Sequence, residues 1–534
     1  MKKIYIIASA LLLVFSSTSC LKELENPQKG AISMSDYYAN ANGEDAEKLI
    51  ARTYNRYFGS IEATTTLNFL DVISDDNYCG GGSWADNANA YRDAQEFILT
   101  TASWPFRSTY QSMYAVIYYC NLIIDKIPES NDATINRVKA EAKFLRAASL
   151  FEAMRWYKNP PFADHIYGAD DMLAPNGDPA EMIEWILANF EEAAATLPAV
   201  PGKGQQIKIG GRATSGAAWA YYGKAALWYA TANKDNSYLS KAITALKKVM
   251  DSGLYDLIPD IADIGRCAAD FSYEYLFERN CAETSQNKNI QNDQRQTWRS
   301  LRNDNVDIPP QIVGYGWSFC NPSKEFVEFM KEHDGVDNVR FKAKLLSFDE
   351  IIDMGSTGLF DGRYCPDCVG YFNATALMWV ADVYPDTGNS FWSRANVAFM
   401  RYAEVLLMYA EAQFLANGDS DGSGLAALNK VRVRSELPPL TKLTYQDIKD
   451  ERRAELFTEE ERFFDLRRWG DAAEALKDRG KVRYEFWGYK PGTTEWDIRE
   501  QPGMGKGWDP KYEQFPYSSA QLLANPNLEQ APGW

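Results

Sequence analysis

Apolar residues recur every three or four positions through several long stretches of the chain, the spacing of one face of an α-helix. In Arg137–Tyr157 the residues Phe144, Leu145, Ala148, Phe151 and Met154 form one stripe, and Asn159-Pro160-Pro161 stops it. In Ser215–Ala230 the stripe is Gly216, Ala220, Gly223 and Leu227, small enough for a second helix to approach closely. Ala403, Leu406, Leu407, Ala410 and Phe414 repeat the theme in Arg401–Ala416, where Asn417-Gly418 supplies a C-terminal stop. Leu425–Arg434 follows as a partner helix. Thr444 with Asp447 has the form of a capping box, opening a helix that runs through Glu455 towards Trp469. Shorter helical patterns cover Ala46–Tyr57, Phe106–Ile127, Pro179–Leu197 and Tyr238–Asp251.

Paired helices joined by short turns, with small residues where they would touch, predict an all-α fold of stacked, tetratricopeptide-like hairpins. No clean 34-residue consensus repeats. Between the pairs lie the loop-rich stretches 59–105, 255–325, 345–395 and 480–534, full of Gly, Asn, Asp and aromatic residues. Loops of that length in a compact domain are functional or packed onto the scaffold. The expected architecture is therefore a helical platform carrying an irregular face. No Pro/Ser/Gly-rich linker divides residues 46–534, which read as one unit.

The N-terminus adds an address. Lys2 and Lys3, the mostly apolar run Ile4–Phe15 and the small residues before Cys20 predict a signal peptide over residues 1–19. Cys20 is then the expected lipidation site, and residues 20–45 a lipidated tether. No later stretch approaches 18 uninterrupted apolar residues. Loss of residues 1–19 removes two lysines and takes the formal charge from −17 to −19. That acidity argues against nucleic acid and anionic membrane surfaces as partners. It also favours neutral or basic ligands, unless local loop charge overrides it. With Cys20 lipidated, seven scattered cysteines remain and form no framework. For Cys365-Pro366-Asp367-Cys368 a local disulfide or two buried thiols is preferred over a redox motif or a zinc half-site. His165 and His333 are the only histidines, which leaves little room for His-based catalysis. Fifteen Trp and 31 Tyr, by contrast, supply flat amphipathic rings suited to stacking on sugar faces.

Motifs in order along the chain sharpen this. Ala140-Glu141-Ala142-Lys143-Phe144-Leu145-Arg146-Ala147 with Trp156-Tyr157 and Pro160-Pro161, then Gly211-Arg212-Ala213-Thr214, then Arg401–Ala412 with Asn429–Arg434, resemble the signature segments of the SusD/RagB family. Glu451–Leu456, Arg462–Gly470 and the closing Asn525–Trp534 resemble its later segments. Glu461 stands where a Gly is usual, Ala531 replaces an Asn, and Asp337-Asn338-Val339-Arg340 only loosely follows the family's Asp-Pro-Arg. The resemblance implies a SusD-like helical lipoprotein, anchored in the outer membrane by its lipid and facing the cell exterior. It further implies pairing with a SusC-like TonB-dependent transporter and an oligosaccharide or polysaccharide ligand. No enzymatic activity, cofactor, metal or nucleic-acid partner is expected. Capture of a non-sugar nutrient such as a peptide, or glycoside hydrolysis, are the alternatives.

The signature motifs are rich in charge. Glu404 and Glu411 lie two helical turns apart, and Arg432, Arg434, Glu451, Glu455, Arg462, Asp465, Arg467 and Arg468 are available partners. They are expected to fix helix register rather than to flank a scissile bond. The ligand site is expected in the loops. Asp71–Tyr91 offers Asp76, Asn77, Tyr78 and Trp84 beside Gly80-Gly81-Gly82. Gln296–Trp317 offers Trp298, Arg302, Tyr315 and Trp317, the last two on a glycine-flanked loop read as bendable. Gly370–Trp379 and Phe391-Trp392 form a weaker third choice.

Overall fold

A computed structural model of the chain describes residues 34–60, 64–83, 89–168, 172–208, 210–281, 295–383 and 393–534. The signal peptide and Cys20 lie outside the described residues.

Helix α1 (Gly43–Ser60) precedes the short α2 (Thr64–Val72); α3 (Trp104–Lys126) and α4 (Ala133–Tyr157) form the first long antiparallel pair. They are followed by α5 (Pro179–Thr196), α6 (Ser215–Asn233) and α7 (Leu239–Asp251), each packed on its predecessor. The five-residue helix α8 (Arg295–Arg299) and α9 (Val339–Lys344) lie in the loop layer. The stack then resumes with α10 (Tyr402–Asn417), which packs on α7, on α11 (Ser423–Arg434) and on α12 (Tyr445–Glu455); α13 (Arg462–Trp469) returns to α6. This is the expected all-α, tetratricopeptide-like arrangement. No helix among the described residues is long and apolar enough to cross a membrane.

Local sequence sets the helix ends. Asp132 caps α4 by accepting from the Thr134 and Ile135 amides. Thr214, last of the Gly-Arg-Ala-Thr segment, caps α6 by accepting from Ala217, and the Thr444–Asp447 capping box opens α12. Gly418 ends α10 at φ +69°. The small-residue stripe of α6 does what its spacing predicts. A Cβ on Gly223 would stand 2.5 Å from Leu246 Cγ of α7, and one on Gly216 2.2 Å from Tyr255 Oη.

Two expectations need correction. The helix opened by Thr444 does not continue to Trp469; it stops at Glu455, and α13 starts at Arg462. The intervening turn holds Thr458 at φ +62° and Glu460 at φ +63°, left-handed positions that no helix accommodates. The backbone that favours glycine is thus at Glu460, one residue before Glu461, whose φ of −87° is unstrained. The turn aims three consecutive carboxylates at three sets of cations. Glu459 meets Arg401, Glu460 meets Arg295 and Arg299, and Glu461 meets Arg155 and Lys224.

Short antiparallel strands tie the loop layer down. β1 (Asn77–Gly80) pairs with β3 (Phe319–Pro322), and β2 (Tyr275–Arg279) with β4 (Val397–Arg401). Segments 365–366, 482–489 and 496–502 form a three-stranded sheet. Cys365 and Cys368 are buried free thiols; burial pushes Cys368 up to about 12, far from a reactive thiolate.

The motif charges pair inside the fold. Glu411, fully buried on α10, accepts from both Arg468 Nη atoms at 2.6 and 2.7 Å, from Trp469 Nε1 at 2.8 Å and from Tyr445 Oη at 3.1 Å. Burial alone would raise the Glu411 carboxyl, but Arg468 outweighs it and holds the group below the usual range. Glu404 meets Lys224 at 3.0 Å, so both candidate catalytic acids are engaged with cations. A carboxyl depressed in the folded state stabilises above its unfolded pKa of about 4.3, and the contribution is lost as pH falls through the folded value. Glu411→Gln should therefore destabilise by about 3 kcal/mol at pH 7, and urea melts should show the deficit shrinking at pH 3.5. Gly223→Val should cost about 1–3 kcal/mol in the same assay, because α7 has no room to retreat.

Candidate functional site

The β1–β3 pair brings the two expected ligand loops together. Gly80 lies opposite Phe319, and the Gly81 amide donates to the Ser318 carbonyl at 2.7 Å. From the second loop, Trp298 and Trp317 meet with ring centroids 4.7 Å apart. Trp298 also packs on Phe319 at 5.3 Å and edge-on to Tyr91 at 5.7 Å. Tyr91 in turn contacts Trp104, a residue 41% exposed. Trp298 and Trp317 are half-buried, resting on the buried Tyr91 and Phe319, so the four rings form an aromatic platform with a solvent edge. The Trp298 indole N–H is buried and has no hydrogen-bond partner among the described residues. Such a donor costs about 1–3 kcal/mol until satisfied.

Trp298 rides on α8, too short to hold itself, so its position is set by tertiary contacts. Arg299, the next residue, is buried and donates to Asn68 Oδ1 at 2.8 Å, to Asp71 Oδ2 at 2.5 Å and to the Thr458 carbonyl at 3.2 Å. Glu460 stands 3.3 Å away. Burial pushes the Asp71 carboxyl up, and Arg299 opposes it. The Trp317 amide donates to the Thr297 carbonyl at 2.8 Å. This bond ties the Gly314–Trp317 loop to α8. Its Gly316 is required for close approach, because a Cβ there would stand 2.1 Å from the Ser300 carbonyl oxygen. Arg302 pairs with Asp304 at 3.0 Å beside Gly82.

Other expected residues lie elsewhere. Asp76 is buried and accepts from Arg453 Nε at 2.7 Å; neighbouring Asp75 takes a bidentate grip from Arg462 at 2.8 Å. Asn77 is buried, and its carbonyl accepts from Arg479. Tyr78 is 3% exposed and donates to Glu325 at 2.9 Å, with Arg479 over its ring. All three therefore face the scaffold rather than the platform. The Asp76 carboxylate is spent on Arg453 of α12 and the Tyr78 hydroxyl on Glu325, while Asn77 offers its backbone carbonyl to Arg479 and its buried Oδ1 has no partner among the described residues. Tyr315 is 42% exposed near the platform. Trp84 falls outside the described residues, as does Phe391-Trp392. Trp379 stacks under Arg266 in a separate cluster. Trp104 was not anticipated: it sits just ahead of a helical pattern, and nothing in its spacing marks it as exposed. Among the described residues no three His, Cys, Asp or Glu side chains are grouped to hold a metal.

Fold and platform together define a tetratricopeptide-like helical scaffold with an aromatic surface built on its loop layer. Residues 371–534 match the family model described as the SusD family. A SusD-like protein of Bacteroides ovatus is 23% identical, the match covering 88% of this chain and 82% of that one. SusD-like protein P25 of Formosa agariphila is 23% identical over 98% of both chains. Among solved structures, a laminarin binding SusD-like protein superposes with a TM-score of 0.73 at 26% identity, covering 92% of this chain and 99% of its own. Surface glycan-binding protein A from Bacteroides thetaiotaomicron in complex with laminarihexaose gives 0.70 at 20% identity, over 91% and 99%. The chain thus resembles the SusD family, through the family model over residues 371–534 and through these relatives over most of its length.

The clamp on α8 and the pair at the rim should respond differently to mutation. Arg299→Ala leaves Asp71 buried without its guanidinium, and Glu460 with Arg295 alone at 3.7 Å, and should lower stability by about 3–5 kcal/mol. Amide exchange should accelerate over residues 295–301. Arg302→Ala breaks a half-exposed pair and should change stability by no more than about 0.5 kcal/mol.

Proposed function

We propose that this protein is a non-catalytic glycan-binding lipoprotein of the outer cell surface. It captures oligosaccharides and passes them to a SusC-like TonB-dependent transporter. The observation that carries the reading is the Trp298–Trp317 platform. Two indoles rest on buried aromatic supports with an exposed edge, beside Tyr315 and the Arg302–Asp304 pair. Pyranose rings present apolar C–H faces to such surfaces and hydroxyl edges to the charged rim. The two superposed structures named for laminarin and laminarihexaose support a glycan ligand. The motif carboxylates support binding without hydrolysis, since Glu404 and Glu411 are held by buried cations rather than facing each other across an open cleft. Lipidation at Cys20 would hold the molecule at the membrane; the folded unit starts earlier than residue 46, because Tyr38 is buried in the core and α1 begins at Gly43, so a tether would end before residue 34.

The contact set is narrower than the loops first suggested. Trp298, Trp317, Tyr315 and Arg302 are retained and Trp104 is added. Asp76, Asn77 and Tyr78 act on the scaffold.

The test is binding of purified residues 21–534 to a broad array of neutral and charged glycans, with Trp298→Ala and Trp317→Ala beside it. A selective hit weakened about tenfold or more by either change is expected, since a stacked ring contributes about 0.5–1.5 kcal/mol beyond its buried area. Unchanged affinity in both variants would overturn the platform. Binding to peptides and to no glycan would favour the non-sugar alternative.

A further inference from the structure

The helix that carries Trp298 also borders a second concavity. Arg295, Gln296 and Arg299 of α8 line a cleft closed by Lys344 at the end of α9, Arg401 at the end of β4, and Glu459 from the strained turn. Its volume of about 70 Å³ has room for about five waters at ~10–15 Å³ each. Four cations and one carboxylate in that lining reverse the sign of a chain whose formal charge is −17.

Most of this charge is already matched. Glu459 is held bidentately by Arg401 at 2.8 and 2.6 Å, and Arg299 is held by Asp71. Lys344 is different. Its side chain is 2% exposed, yet its ion pair to Glu459 spans 3.9 Å, beyond hydrogen-bond length. Burial lowers the ammonium to about 8; Glu459 and Glu455 oppose the shift, and Arg401 and Arg434 add to it. A buried ammonium with three donors and no close acceptor is the counterpart of an anion.

Gln296 narrows the chemistry. It is 7% exposed, and its Nε2 donates to the Gly265 carbonyl at 2.9 Å, which fixes the amide orientation. Its Oε1 is buried with no partner among the described residues. That oxygen requires a donor, which sulfate and fully ionised phosphate lack and a hydroxyl supplies. Thr375 and Thr458, whose hydroxyls lie 2.8 Å apart, add polar wall. One ligand satisfying both orphaned groups carries a carboxylate for Lys344 and a hydroxyl for Gln296. We propose that this cleft is a binding site for a small hydroxylated carboxylate of the sugar-acid class, separate from the aromatic platform.

Calorimetry with residues 21–534 tests it, using D-glucuronate and D-galacturonate as probes and glucose and sulfate as controls. At least one uronate should bind, with both controls at least tenfold weaker. Lys344→Gln should weaken uronate at least tenfold, and Lys344→Arg should restore most of the affinity. Sulfate binding as tight as uronate, or full uronate affinity in Lys344→Gln, would overturn the proposal. Should Lys344→Gln fail to fold, reductive methylation of the wild-type protein read by mass spectrometry decides. Protection of Lys344 by uronate and not by glucose is expected, and no protection at tens of millimolar uronate would count against the site. Neither arm uses a neutral oligosaccharide, so failure here and failure of the platform are read separately.

Discussion

Arg340 and Arg401 sit side by side around Glu455 with almost no solvent on either, and the joining of helical stack to loop layer depends on them. Arg340, on α9, holds Asp334 bidentately at 2.8 Å, Glu451 at 2.5 Å and Glu455 at 3.4 Å. Arg401, where β4 turns into α10, holds Glu274 at 2.6 Å, Glu455 at 3.1 Å and both oxygens of Glu459. Arg434 reaches the same Glu274 and Glu455 from α11, and Arg432 holds Glu451 at 2.9 Å. Charges this deep are tolerated only when every partner is in place, so the cluster specifies one arrangement of α9, β4, α11 and α12. Its net gain over an apolar core is small, and its exclusion of alternatives is large.

The same logic extends to the surface that matters for ligands. Carboxylates of the 459–461 turn reach outward to α8 as well as inward to the stack. Trp298 therefore inherits its position from Arg299 and Asp71, both buried, and from Glu460 at the edge of the turn. A recognition surface on loops has no lattice of its own; here the scaffold's ion pairs supply it. Both the aromatic platform and the cationic cleft are by-products of how α8 is tied down.

Many of the helices were legible because their signals are local. The stripe of α4, the glycine contacts of α6, the Thr444 capping box and the Gly418 stop each act over one or two turns and appear in the structure as read. The continuous helix to Trp469 was misread because Thr458 and Glu460 adopt left-handed backbone without glycine to announce it. Glu460 is held there by Arg295 and Arg299, the nearer of them 161 residues away in sequence. Trp298, Trp317, Tyr315 and Arg302 were visible as aromatics beside polar groups in long loops. Asp76, Asn77 and Tyr78 have the same appearance, yet they serve the interior. Polar residues in a loop look alike whether their partner is a ligand or a buried arginine.

Local signals in the chain specify the class of fold, the helix ends where caps and glycines act, the close approach of α6 to its neighbours, and the pairing of motif charges within the scaffold. These follow from 3.6-residue periodicity and short-range sterics, which need no knowledge of distant chain. Which aromatics form a platform, how closely Gly316 approaches the Ser300 carbonyl, and that a strongly acidic chain lines a cleft with four cations follow from packing alone. Each of those depends on segments such as 71, 299, 344, 401 and 459 meeting in space. Burial then sets the strength of every charge, and burial is a property of the packed fold rather than of any local run of residues.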